Sequence, residues 1–200
     1  MGILQLFVDT ECAICQESGT ALCRACELSI RGRYLGASSG QQMPPHGIPR
    51  PADLSRDATQ RVVADLPVYA AAPYDAEVQL LILATKRSGH PRLISLLADL
   101  AARVVASAAR AQRIFGLVTL VPLHSGPATR TATGTDLVHT LAKRVARALR
   151  RRGQRVVVGD LLEVRPSLKA QKGLNRGQRE KNAAGKYRVG SRRPSRGVPL

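Results

Sequence analysis

The chain has 200 residues, 44% of them apolar, and carries 31 Lys and Arg against 14 Asp and Glu. That length suits one ordinary domain, or a small module plus one domain, and the apolar share is enough for a core. With 3% aromatic residues and no Trp, the core must be built from Ala, Val, Leu and Ile, and charge interrupts every apolar run before it reaches the length of a membrane span.

The opening residues, MGILQLFVDTEC, hold no basic segment and no small-residue cleavage site. No secretory signal is expected, and the expected location is cytoplasmic. All four cysteines follow: Cys12-x-x-Cys15, seven residues, then Cys23-x-x-Cys26. Two such hooks set paired thiolates on tight turns, and four thiolates satisfy tetrahedral zinc. A reducing cytosol argues against disulfides. The spacer is shorter than that of the usual paired sites, yet it has room for a turn at Ser18-Gly19-Thr20. The competing reading is a set of buried or redox-active thiols. A four-cysteine zinc site would be structural, because it leaves no open position for a substrate. It would stabilise a piece too small to have its own core.

Residues 1–35 are therefore read as a zinc-binding module and 36–60 as a linker, where Gly, Ser, Pro and Gln replace apolar periodicity. His46, between Pro and Gly, reads as a solvated loop residue. The stretch VVADLPVYAAAPY, residues 62–74, predicts one or two short strands. From Asp75 the spacing becomes helical, with Val78, Leu81 and Ile82 on one face, Lys86 near the end and Gly89 as the stop. Pro91 opens a second helix with an apolar stripe at Leu93, Leu96, Leu97, Leu100 and Val104. GLVTLVPLH, residues 116–124, has the character of a strand buried on both faces, as in a parallel sheet.

A helix is expected over 135–152, with Leu137, Val138, Leu141, Val145 and Leu149 inward and Gly153 as its stop. Arg144, Arg147, Arg150 and Arg151 line its other faces. They suit nucleic acid, but they also complement the dipole at a helix C-terminus, and the dipole reading is the favoured one. RVVVGDLLEVR, residues 155–165, predicts further short strands. Strand, helix, strand argues for a βαβ unit. Beyond Pro166 the chain is polar and basic, with Leu168, Leu174, Tyr187 and Val189 as its few apolar anchors, and reads as a mobile arm with a short helical turn.

Charge is unevenly spread. Residues 1–100 carry nine basic and ten acidic side chains, and residues 101–200 carry 22 and four. A basic half attracts phosphates, on nucleic acid or on a small phosphorylated ligand. It is also what a solvated surface looks like in a chain where Arg outnumbers Lys 25 to six.

The order of these motifs resembles the ComF family, bacterial proteins that join a zinc module to a phosphoribosyltransferase-type domain. The resemblance rests on the paired Cys hooks, on Tyr74 followed by a helix to Lys86 and Gly89, and on LVTLVPLH as a first core strand. It also rests on Gln171, Leu174, Arg179 and Asn182 spread over a basic loop. It runs from Cys12 to about Val189 and implies an incomplete α/β, Rossmann-like parallel sheet over 61–200. By resemblance the activity is a transferase of the glycosyltransferase class. A link to competence, DNA uptake and recombination, or to nucleotide metabolism, is implied with it. Lys86, Arg87, Arg130, Gly134, Gln171, Arg179 and Asn182 are the residues that would meet a phosphorylated ligand. Lys86 reads equally as a basic helix end, and the last three as polar surface.

Two departures limit that expectation. The family's Arg-Gly-Phe-Asn stretch before the helix reads here as Arg130, then Thr133-Gly134-Thr135-Asp136. The family's later strand, with two acidic residues and a Thr-Thr-Gly-type loop, has no counterpart: the acidic residues after 100 are Asp136, Asp160, Glu163 and Glu180, none adjacent to another. Carboxylates hold the ribose hydroxyls of phosphoribosyl pyrophosphate, and loop amides cradle its phosphate. The chain is thus expected to be truncated before that loop, inactive alone, and able to use Mg with phosphoribosyl pyrophosphate only if the loop is supplied. The alternative is a zinc-containing basic nucleic-acid-binding protein, with only Phe115 and Tyr187 as aromatic residues in its basic half. A serine or cysteine hydrolase reading fails: there is no G-x-S-x-G, each Cys already has a metal role, His124 and His139 have no evident nucleophile partner, and His90, just before Pro91, reads as a turn residue.

Overall fold

The computed structural model describes residues 11–35, 67–123, 136–164 and 187–190. In these, a cysteine knuckle leads into helix α1 (Arg24–Tyr34), followed by α2 (Ala76–Ser88), α3 (Pro91–Ala111), β1 (Val118–Leu120), α4 (Leu137–Arg150), β2 (Val156–Val158), β3 (Leu162–Val164) and β4 (Tyr187–Val189). It is a mixed fold of helices and small sheets.

Each helix starts where the sequence offers a capping side chain. Asp75 accepts from the Val78 amide ahead of α2, and Asp136 from the His139 amide ahead of α4. Between α2 and α3, Gly89 takes the left-handed conformation at φ 61°, its N–H reaching Thr85 O, and Pro91 then fills the first position of α3. The side-chain hydroxyl of buried Thr85 is satisfied by Leu81 O at 2.6 Å.

Two apolar clusters follow. In the first, Cys12, Leu22, Ile30 and Tyr34 of the knuckle and α1 pack with Val78 and Leu81 of α2 and with Leu93, Leu96 and Leu100 of α3. A polar rim closes it. Arg31 bridges Glu27 at 2.9 Å and Asp99 at 2.8 Å, and Arg33 reaches Glu77 at 3.0 Å. The Tyr34 hydroxyl donates to the Asp75 carboxylate. The second cluster joins Ala98 and Ala102 of α3 to Val145, Ala146 and Leu149 of α4 and to Val156 of β2.

β1 and β2 pair in parallel with Val118 opposite Val156 and Leu120 opposite Val158, on either side of α4. The expected βαβ unit is therefore present. Gly159 continues the ladder by donating to Leu120 O at 2.9 Å. A Cβ there would stand 3.0 Å from the Thr119 methyl, so the close approach favours glycine. β3 and β4 form an antiparallel pair, with Arg188 reaching Glu163 at 2.8 Å across it.

Three expectations need correction. No strand forms within 67–74, where only Tyr69 makes a single bridge; Pro67 and Pro73 have no N–H to give a ladder. Tyr69 instead accepts from Gln112 at the end of α3, at 2.8 Å. β1 is half-buried rather than covered on both faces, since among the described residues its one partner strand is β2. Tyr187–Val189, expected in a mobile arm, form β4, and Val189 is 82% exposed and so no apolar anchor. His46, residues 62–66, Leu168 and Leu174 lie outside the described residues. Among the described residues no helix is long and apolar enough to cross a membrane.

Leu149 is fully buried at the meeting of α3, α4 and β2. Leu149→Ala should lower unfolding stability by about 2–5 kcal/mol, read as a lower urea midpoint at unchanged slope. Acid should act on the polar rim. Hydrogen bonding to Arg31 holds the Glu27 carboxyl below its ordinary range, and the Tyr34 hydroxyl and Val78 amide do the same for Asp75. Stability from both is complete above their unfolded values and is lost as the pH falls through the lower folded ones. The melting temperature should therefore drop below about pH 4, and Glu27→Gln with Asp75→Asn should flatten that drop.

Candidate metal centre and the carboxyl edge of the parallel strands

The knuckle is built by short backbone bonds. Gln16 N–H returns to Cys12 O at 2.9 Å, and Cys12 N–H reaches Glu17 O at 2.8 Å. The turn uses a left-handed Gln16 at φ 64°, and Gly19 at φ 105° closes the next one. Ala13 N–H to Ala21 O then brings the second hook back beside the first. Cys23 is the N-cap of α1, its sulfur accepting from the Cys26 amide at 3.4 Å, while the Cys23 amide donates to the Cys12 sulfur at 3.3 Å. Such N–H···S bonds favour thiolate.

All four sulfurs lie within 4.8 Å of one another. Zinc–sulfur bonds of about 2.3 Å in a tetrahedron imply sulfur–sulfur edges of about 3.8 Å. The Cys15–Cys23 separation is 3.7 Å. The four cysteines therefore form a set able to hold a tetrahedral metal ion, consistent with zinc. Cys12 and Cys23 are buried and Cys15 is exposed.

The thiols ionise unequally. Burial pushes Cys12 up, but the amides of Cys23, Cys15 and Ile14 outweigh it and bring the thiol down to about 6. Burial and the neighbouring sulfurs raise Cys26. Once one thiolate forms, its neighbours resist joining it, and a divalent cation reverses that resistance.

A second constellation stands at the carboxyl ends of β1 and β2. Pro122, two residues past β1, is buried. Asp136 and the first turn of α4 stand at the same end of the unit, because α4 runs back against the strands. His139 Nδ1 lies 3.2 Å from Asp160 Oδ1, just beyond Gly159 at the end of β2. In open α/β sheets this edge is where ligands bind. An imidazole beside a carboxylate makes this edge polar and able to meet a further ligand. Sequence reasoning left His139 and Asp160 isolated, and only the parallel register joins them. The available signal was Gly-Asp directly after a valine strand.

Of the ligand-binding residues expected from the sequence, Lys86 and Arg87 are the two among the described residues. Lys86 and Arg87 are exposed in the last turn of α2, where positive charge complements the helix end. Arg130, Gly134, Gln171, Arg179 and Asn182 lie outside the described residues, as does His124. In comparisons with known proteins, no protein-family profile, no curated protein and no solved structure matched this chain.

The purified chain should hold a single metal ion per molecule by elemental analysis. Because the ligands must lose protons, occupancy should fall as the pH is lowered towards about 5. Chelation should reduce helical circular dichroism and lower the melting temperature, and Cys26→Ser should reproduce both effects.

Proposed function

We propose that this chain is a ComF-type protein, in which zinc on Cys12, Cys15, Cys23 and Cys26 braces part of a Rossmann-like, phosphoribosyltransferase-type unit. The observation that carries this reading is the parallel pairing of β1 with β2 across α4, in a chain that also holds a four-cysteine knuckle ahead of them. The zinc is structural, and Leu22, Ile30 and Tyr34 carry its effect into the helices.

The ligand is a phosphorylated ribose at the carboxyl edge. His139, with Nδ1 3.2 Å from Asp160, contributes an imidazole to that edge, and the family resemblance assigns Arg130, Gln171, Arg179 and Asn182 as further ligand groups. Within residues 101–200 no two acidic residues are adjacent, so Mg would accompany the ligand only where further carboxylates are supplied. Competence-linked DNA uptake and recombination, or nucleotide metabolism, is the setting the family reading suggests.

A second reading, a zinc-containing basic nucleic-acid-binding protein, is favoured by the charge of residues 101–200, which carry 22 basic and four acidic side chains. Phe115, 89% exposed, is a single stacking platform. Binding of that kind would be phosphate-driven and steeply salt-dependent.

Phosphoribosyl pyrophosphate should raise the melting temperature of the metal-loaded chain, by the equivalent of about 2.7 kcal/mol at a hundredfold excess over Kd. It should do so more than ribose 5-phosphate or pyrophosphate, and His139→Ala with Asp160→Asn should remove the difference. A shift matched by an equal concentration of sulfate, or no shift at millimolar ligand, would defeat the reading.

A further inference from the structure

A groove of about 190 Å³ runs between α3 and α4, floored by Ala98 and Ala148 and walled by Ser95, Asp99, Arg144, Arg147 and Arg151. Alanines make the groove: Ala98, Ala102 and Ala146 at the helix contact let the two backbones approach. That approach brings Arg144 onto Ser95, with Nη1 donating to Oγ at 2.6 Å.

Arg144, Arg147 and Arg151 recur at three- and four-residue intervals, so they share one face of α4. Their Cα atoms are about one helical turn, 5.4 Å, apart. Like charges at this spacing repel one another. The groove's own carboxylate does not relieve them, because Asp99 is engaged by Arg31 at 2.8 Å. Among the described residues neither Arg147 nor Arg151 has a carboxylate partner, and both are exposed. Complementing the helix dipole explains cations near the end of α4. It does not explain why three of them face a hydroxyl across a polar groove.

Guanidinium forks match the oxygens of phosphate, two hydrogen bonds at a time. Ser95 accepts from Arg144 and keeps its own proton to donate. We infer that the α3–α4 groove is a phosphate-binding site, in which Arg147 and Arg151 grip the oxygens of a pyrophosphate or phosphodiester group and Ser95 donates a further bond. No aromatic side chain lines the groove, so it reads phosphate rather than base. The site is separate from the carboxyl edge: it uses later turns of α4, whereas His139 lies in the first.

The test is calorimetric titration of the metal-loaded chain with inorganic pyrophosphate and with a single-stranded oligothymidylate, at low and moderate salt. The measurement is made in the His139→Ala background, so that failure of the carboxyl-edge reading leaves it unaffected. Arg147→Ala with Arg151→Ala should weaken pyrophosphate binding at least about tenfold, as expected for losing charge-assisted hydrogen bonds. Arg110→Ala with Arg152→Ala removes the same charge from exposed positions outside the groove and should change it little. Urea midpoints confirm that both variants stay folded. If the nucleic-acid backbone is the source of phosphate, pyrophosphate displaces the oligonucleotide, and the groove variant lowers the log–log salt slope by about 1.4 for two lost contacts. If a free phosphorylated compound is the source, the groove variant loses pyrophosphate and leaves oligonucleotide binding as it was. Equal weakening by the two double variants, or no binding of pyrophosphate at low salt, overturns the site.

Discussion

Helix α3 is buried from two sides, and α1, α2, α4 and the β1–β2 pair are placed by that fact. Leu93, Leu96 and Leu100 face the knuckle, α1 and α2, while Ala98, Ala102 and Ala109 face the other way, the first two toward α4 and β2. A helix with apolar residues on two faces cannot rest on one partner. It must be covered twice, so the cysteine knuckle and the βαβ unit are both fastened to it. Large side chains fill the first contact and small ones the second, which is why α4 approaches closely.

The knuckle reaches the rest of the chain through this helix. Cys12 and Cys23 are part of the same apolar cluster as Leu22, Leu93 and Leu96. A metal on the four sulfurs would therefore hold more than a loop. It would fix the N-cap of α1, and through Ile30, Tyr34 and Arg31 it would set the position of α2 and α3. Arg31 links Glu27 of α1 to Asp99 of α3, and Arg92 of α3 reaches back to Thr20 and Glu27. These partly exposed pairs add little energy individually, but they orient α1 across α3. The same Arg31 engages Asp99 and so leaves the arginines of α4 without that counter-charge.

The helices were legible in the chain because their signals are local. Asp75, Gly89, Pro91 and Asp136 are capping or breaking residues that act within one turn, and the apolar spacing of α3 and α4 is periodic over several turns. The strands were harder to read. Val118–Leu120 and Val156–Val158 announced themselves as β-branched runs, and so did 62–74, yet no strand forms over 67–74, because two prolines override its composition. Tyr187–Val189 carries no strand signal of its own. It pairs because β3 offers it a register in which Arg188 meets Glu163.

What the sequence by itself determined is therefore the set of four cysteines able to hold a metal ion, the capped helices and the strand–helix–strand order, all consequences of spacing along one stretch of chain. Only the tertiary structure decided that the sulfurs belong to a core shared with α3, that His139 meets Asp160, and that Ser95 faces the arginines of α4. Those pairs are separated by tens of residues, or are brought together by helix packing and strand register. Neither composition nor periodicity carries that information, because it depends on how closely two backbones can approach and in which register they pair.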